Sequence, residues 1–399
     1  MGVTLPIYLD NHATTKPDPR VIEAMLPYLS EVYGNASSTD HIFGYTARDA
    51  VEKAREQIAN FIGARAANEI VFTSGATESD NVALFGIAEA YAEKGNHIIT
   101  CVTEHRAILD SAEKLARSGK TVTFLPVDQC GRVDPEDVRR AITPQTILIS
   151  IMMANNEIGT IANVREIGRI AHEHGVVFHT DAAQAIGHIP VDVQKLNIDV
   201  LSLSAHKFYA PKGTGALYVR RSLPRIKLAP IIHGGGHERG MRSGTLNVPG
   251  IVALAKACEI AAKEMKKEAK RFNAWTAWML DQLQKELGGV ELNGDPAERL
   301  PHNLNVSVEG VESKSLIIGL KDIAVSAGSA CSSEKAKAEP SYVIKALGFG
   351  ESRAHSAIRI GLGRENTQEE IEYAVHRIIE EVKHIREDVH SITHTAQVS

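Results

Sequence analysis

What most constrains this chain is an alternation. Short apolar runs and amphipathic helical stretches follow one another through its first two-thirds. Ile70–Thr73, His97–Cys101, Thr121–Val127, Thr146–Met152, Val176–Thr180 and Val200–Ser204 are the apolar runs. Runs of this length predict strands buried on both faces. Between them, Ala47, Ala50, Val51, Ala54, Ile58 and Phe61 share one face of a helix predicted over Ala47–Ile62. Such alternation predicts a mainly parallel sheet covered by helices on both sides. A long helical stretch over Val248–Leu287 follows, and its Lys/Glu-rich run Lys263–Lys270 is expected to face solvent. Beyond it come a short strand over Asn303–Val308, a run of small residues over Ser326–Ser333, and a last helix from near Thr367. Thr367 and Glu370 have capping-box spacing, and Ile371, Val375, Ile378, Val382 and Ile385 form its apolar stripe. The polar end, Ser391–Ser399, is expected to be poorly ordered. The pattern is a large α/β domain followed by a smaller α+β domain.

Composition narrows the function classes. The 399 residues suffice for two or three domains. Forty-four Lys and Arg against 49 Asp and Glu leave a net charge of −5, which gives no global pull toward nucleic acid or anionic membrane. No apolar run approaches the ~18–20 residues needed to span a bilayer. The start, Met1–Pro6, lacks a basic segment followed by an apolar one, so no secretory signal is expected. The four cysteines, Cys101, Cys130, Cys258 and Cys331, form no C-x-x-C pair, which argues against a zinc site or a disulfide framework. A reducing cytoplasm is the expected location.

Several polar residues stand just past predicted strands, where open α/β sheets bind ligands. Ser74-Gly-Ala-Thr-Glu78 follows the strand Ile70–Thr73 and opens a helix, a setting in which backbone N–H groups converge on a phosphate or simply form a capped turn. Asp181 and Gln184 follow Phe178-His-Thr180; an acid there can hold a cationic ring nitrogen or cap a helix. Lys207 closes Ser202-Leu-Ser-Ala-His-Lys207, where a lysine can form a Schiff base with a carbonyl cofactor. Ser204 and His206 can bond a phosphate, and His105, in Thr103-Glu-His105, can stack on an aromatic ring and relay protons. A phosphate-type turn, an acid and a lysine in this order meet the needs of pyridoxal phosphate. His172 and His174 sit in a helical segment and are expected at a solvated helix end rather than on a metal. Cys331 lies in Ala327-Gly-Ser-Ala-Cys-Ser-Ser333, with almost no apolar bulk to bury it. It is expected on an exposed, flexible loop as a nucleophile, whereas Cys101 and Cys258 belong to apolar patterns and Cys130 to a turn.

From about Ile7 to Arg386 the sequence resembles the pyridoxal-phosphate-dependent cysteine desulfurases of the NifS/IscS group, within the class V aminotransferases. The motifs are Ser74-Gly-Ala-Thr-Glu-Ser-Asp-Asn81, Thr103-Glu-His105, Asn155-Asn-Glu-Ile-Gly159, His179-Thr-Asp-Ala-Ala-Gln184, Ser204-Ala-His-Lys207, the glycine-rich run Gly234–Thr245, Gly328-Ser-Ala-Cys331 and Ala354-His-Ser-Ala-Ile-Arg359. The glycine-rich run and Leu320–Val325 look most like the housekeeping cluster-assembly branch. The resemblance implies the aminotransferase-like fold type I, with a seven-stranded, mainly parallel sheet in a large domain over 15–262 and a small α+β domain from 1–14 and 263–399. It also implies the roles. Lys207 bonds the cofactor aldehyde, Asp181 pairs with the ring nitrogen, Gln184 bonds the ring hydroxyl, and His105 stacks on the ring and moves protons. Ala76, Thr77, Ser204 and His206 hold the phosphate, joined by Thr245 from the partner subunit of a homodimer. Asn156, at the cofactor, and Arg359 bind the carboxylate of the substrate, L-cysteine. Cys331 takes the sulfur as a persulfide, leaving alanine. Sulfur-acceptor proteins such as an iron–sulfur scaffold are the implied partners; no metal, direct nucleic-acid contact or membrane contact is expected. The segment after Cys331 is longer and more charged than the resemblance leads one to expect, and the tail lacks the histidine-ended form associated with scaffold docking.

Overall fold

A computed structural model describes residues 3–223, 225–327 and 340–398, with side chains described up to residue 388. Twelve strands occur among these: β1 (Ile7–Tyr8), β2 (Ile70–Thr73), β3 (His97–Cys101), β4 (Thr121–Leu125), β5 (Thr146–Ser150), β6 (Val177–Asp181), β7 (Val200–Ser204), β8 (Gly215–Val219), β9 (Val290–Leu292), β10 (Asn303–Val308), β11 (Ile323–Ala324) and β12 (Ala357–Gly361). Seven of them form one sheet in the order β2-β8-β7-β6-β5-β3-β4. Strands β7, β6, β5, β3 and β4 run parallel, while β8 lies antiparallel between β2 and β7. Every residue of β2, β3, β5, β6, β7 and β8 is buried, which is why the parallel strands appear in the sequence as unbroken apolar runs.

The six strands expected from apolar runs are all present, with ends that shift by a residue or two. β4 stops at Leu125 rather than Val127, and β5 at Ser150 rather than Met152; β6 is displaced by one residue, to Val177–Asp181. Two helices differ from expectation. One spans Ile42–Phe61, five residues earlier than its apolar stripe suggests, because His41 caps it by accepting from the Gly44 N–H. The last spans Gln368–Val398, so it reaches into the segment Ser391–Ser399.

A second, three-stranded sheet has the order β12-β10-β9, and β1 pairs with β11. The helix Val248–Glu286 links the two parts. Asn247 caps it by accepting from the Gly250 N–H, and Pro249 sits in its first turn. Its first half, with Ile251, Leu254 and Cys258, packs into the apolar core beside the large sheet. Its second half, with Phe272, Trp275, Met279 and Leu283, packs with Ile7, Leu304, Ile358 and the stripe Ile371, Val375, Ile378 and Val382. No helix among the described residues is long and apolar enough to cross a membrane.

Candidate active site

A cavity of about 310 Å³ opens at the C-terminal ends of the parallel strands. Its wall includes Gly75, Ala76 and Thr77 after β2, His105 after β3, Asn156 after β5, Asp181 and Gln184 at the end of β6, Ser204, His206 and Lys207 at the end of β7, and Arg359 from β12. The structure thus brings together eleven residues separated by as many as 284 positions, the span from Gly75 to Arg359.

Each group is placed by local structure. The helix Ala76–Ala90 begins at Gly75, which has no side chain to cap it, so its first-turn N–H groups lack a side-chain partner. A Cβ added at Gly75 would lie 3.6 Å from Ser204 Oγ and fill part of the cradle. One at Gly215 would lie 2.6 Å from Gly75 Cα, so glycine at 215 lets β8 pass close behind the turn. His206 Nδ1 lies 3.1 Å from Thr14 Oγ1, and burial beside Lys207 and Lys212 pushes its pKa down to about 4. Lys207 Nζ donates to the carbonyls of His12 at 2.6 Å and Ala13 at 2.9 Å. His105 caps the next helix, its Nδ1 accepting from the Ala107 N–H at 3.1 Å, so a proton on the neutral ring is carried by Nε2.

The acids behind this wall differ in kind. Asp181 Oδ1 accepts from the Ala183 N–H at 2.9 Å. Burial pushes its pKa up, and the nearby His105 and Lys207 pull it back down. A buried carboxyl in that balance is suited to a cationic partner. Asp80 is fully buried beside it; burial and the neighbouring Asp181 push its pKa well up, against a smaller pull downward from the Ser202 hydroxyl. His179 Nε2 is 3.6 Å from Asp80 Oδ1, and burial takes the His179 pKa down to about 3, so this imidazole is neutral at pH 7. Burial raises Glu104 to about 8; its Oε1 accepts from the Met152 N–H, while its Oε2 has no partner.

Arg359 is 1% exposed. It donates to the Asn156 carbonyl at 2.8 Å and to Asp10 Oδ1 at 2.9 Å, and its Nε has no partner. Asn156 Oδ1 is also buried without a partner. Unsatisfied polar atoms on a cavity wall are costly unless a ligand meets them. The phosphate cradle, the buried acid, the lysine and these two groups fit pyridoxal phosphate bearing an amino acid.

Thr245 does not line this cavity; it is exposed at the end of the glycine-rich run. That run is anchored by Glu238, which receives both terminal nitrogens of Arg55 at 2.7 and 2.9 Å and the Phe72 N–H at 2.8 Å. Cys331 lies outside the described residues. The chain on either side of residues 328–339 is tied to the cavity. Ser326 and Arg359 exchange backbone hydrogen bonds, and Tyr342 donates its hydroxyl to the Glu104 carbonyl at 2.6 Å. The other thiols match expectation. Cys101 and Cys258 are buried, which pushes both pKa values up and makes them poor nucleophiles, and Cys130 sits in a turn where its N–H donates to Asp128 Oδ1. His172 and His174 lie at the solvent-facing end of the helix Val164–Glu173, as expected; His172 also pairs with Asp199 at 2.8 Å, and His174 bonds the Ile170 carbonyl. Among the described residues no group of His, Cys, Asp and Glu is placed to hold a metal ion.

His12, Ala13, Met152, Ala154, Lys212 and Gly213 also line the cavity and were not singled out from sequence. The dense polar run Asp10-Asn-His-Ala-Thr-Thr15, directly after the apolar Ile7–Leu9, is the signal that could have found the first two.

Comparison with known proteins agrees with this geometry. The model of the Aminotransferase class-V family matches residues 7–374. The curated protein Cysteine desulfurase IscS of Anaeromyxobacter sp. (strain K) is 55% identical over 383 residues, covering 96% of this chain and 94% of that protein. A solved structure described as a NifS-like protein superposes with a TM-score of 0.87 at 38% identity, covering 95% of this chain and all of the other. Another, described as SspA in complex with cysteine, has a TM-score of 0.78 at 37% identity, covering 89% and 98%. The seven-stranded sheet is that of fold type I, and the chain belongs to the class-V aminotransferase family.

Proposed function

We propose that this protein is a pyridoxal-phosphate-dependent cysteine desulfurase that supplies sulfur for iron–sulfur cluster assembly. The observation that carries the reading is the convergence of Lys207, Asp181, the Gly75–Thr77 turn and Arg359 on one cavity. The relative named Cysteine desulfurase IscS, similar over nearly the whole chain, supports it. When bound, pyridoxal phosphate supplies an electron sink joined to the substrate amino group.

The protein's own groups supply the rest. Ala76 and Thr77 would hold the phosphate through backbone N–H groups, with Ser204 and His206 beside them. Asp181 would keep the ring nitrogen protonated, and Gln184 would bond the ring hydroxyl. Arg359 and Asn156 would orient the substrate carboxylate, and His105 Nε2 would carry protons at the ring face. Cys331 would then attack the substrate sulfur. The substrate C–S bond breaks and an S–S bond forms, so the two sulfurs are oxidised by two electrons while the β-carbon is reduced and takes a proton. Cysteine plus enzyme thiol thus becomes alanine plus enzyme persulfide, with atoms and electrons balanced.

The chain divides at 262/263, with 1–14 joining 263–399; the change of packing partners along Val248–Glu286 supports this. It works as a homodimer in which Thr245 serves the partner subunit's cavity. The exposed apolar residues Leu29, Tyr33, Ile42 and Phe43, 48–68% exposed, support a covered face. A cytoplasmic location and transfer of sulfur to an iron–sulfur scaffold complete the proposal. The test is turnover: the loaded protein releases alanine from L-cysteine, and failure to do so overturns the reading.

A further inference from the structure

Three buried imidazoles form a stack beneath Lys207. His12 and His302 have ring centroids 4.3 Å apart at 25°, and His302 and His188 lie 3.8 Å apart at 21°. They come from the N-terminal segment, the loop before β10 and the turn after β6, and each is at most 4% exposed.

Their hydrogen bonds fix the protons. Arg299 donates to Asn303 Oδ1 at 2.9 Å, so the Asn303 amide nitrogen is the atom facing His12 Nε2 at 3.1 Å. An amide nitrogen only donates, so His12 Nε2 accepts and its ring proton sits on Nδ1. That proton points to Gln184 Oε1 at 2.9 Å, while Gln184 Nε2 donates back to the His12 carbonyl at 3.0 Å. At the other end, His188 Nε2 donates to the Lys207 carbonyl at 2.9 Å. His302, in the middle, has no hydrogen bond at Nδ1 and contributes its ring faces. Burial, with Arg359 and Lys207 near His12, pushes the pKa of His12 and His302 well down, so both are neutral.

The stack therefore grips the site at three points: the Gln184 amide, the Lys207 carbonyl, and Lys207 Nζ through the His12 carbonyl. We propose that His12, His302 and His188 are positioning residues that set how Lys207 and Gln184 meet the cofactor, with His302 holding the two outer rings in register. This rests on the assignment of Lys207 and Gln184 to the cofactor. A misplaced His12 would free the Gln184 amide to turn, and a misplaced His188 would release the lysine backbone.

The test uses the full chain loaded with pyridoxal phosphate and reads visible absorbance against pH, cofactor retention on dilution, and thermal melting. The wild type should show a pH-titrating visible band that Lys207→Ala lacks. His302→Ala should move the midpoint of that band by about one pH unit and speed cofactor loss about tenfold. His302→Phe keeps a stacking ring and should restore both. His188→Phe keeps the ring but removes the donor to Lys207, and should move the midpoint while remaining folded; it decides the matter if His302→Ala does not fold. A wild-type midpoint and retention in His188→Phe, or in a folded His302→Ala, overturns the proposal whatever the melting temperature. So does a His302→Phe midpoint displaced as far as that of His302→Ala. Absence of any Lys207-dependent band in the wild type overturns the cofactor assignment, and the proposal with it.

Discussion

Replacing Lys207 by alanine removes turnover of L-cysteine, by about 10³-fold or more. The lysine is the one amine at the end of β7 that faces the cavity with its Nζ held, here by the carbonyls of His12 and Ala13. Lys212 also lines the cavity, five residues further along the chain. Borohydride reduction should fix the cofactor to the Lys207 peptide in the wild type and to no peptide in the variant. The phosphate cradle and Asp181 are untouched by the change, so non-covalent cofactor binding should persist. Turnover within tenfold of wild type would remove Lys207 from the mechanism.

Arg359→Ala should lower kcat/KM for L-cysteine by about 10²–10³-fold, the loss that follows removal of a buried charge from a charged partner. Its guanidinium is held flat by the Asn156 carbonyl and Asp10, with Nε left without a protein partner. A planar fork so placed matches a carboxylate, which a lysine ammonium does not. Arg359→Lys should therefore recover only part of the loss. The effect should fall mainly on KM, because the carboxylate is bound before and during reaction alike. The cofactor absorbance should stay as in the wild type. An unchanged kcat/KM in Arg359→Ala would place the carboxylate elsewhere.

How far the sequence discloses this arrangement depends on which forces are local. β3, β5, β6 and β7 are visible because burial on both faces demands apolar residues throughout. β8 is not visible as a strand: Gly215-Ala-Leu-Tyr-Val219 follows the turn residues Lys212-Gly-Thr214, and its antiparallel place between β2 and β7 is a tertiary fact. β1 and β11, of two residues each, are too short to leave a period. In the site, Asp181 and Lys207 follow apolar runs and so announce themselves. Asp80 sits mid-helix and looks like an ordinary surface acid, and only the fold buries it beside Asp181. The stack of His12, His188 and His302 joins residues up to 290 positions apart and has no signature in any one segment. The resemblance to cysteine desulfurases supplies the roles that local pattern leaves open. For Cys331 it combines with a local cue, a thiol without apolar neighbours.

The proposed activity stands on transfer of sulfur from L-cysteine to Cys331. A single turnover of the loaded enzyme, with alanine quantified and the Cys331 peptide weighed under non-reducing conditions, tests it most directly. One alanine should form per sulfur gained, with the extra sulfur on the Cys331 peptide and not on the buried Cys101 or Cys258, and neither product should form in Cys331→Ala. Alanine formed at the wild-type rate by Cys331→Ala, or the added sulfur found on another cysteine, would contradict it.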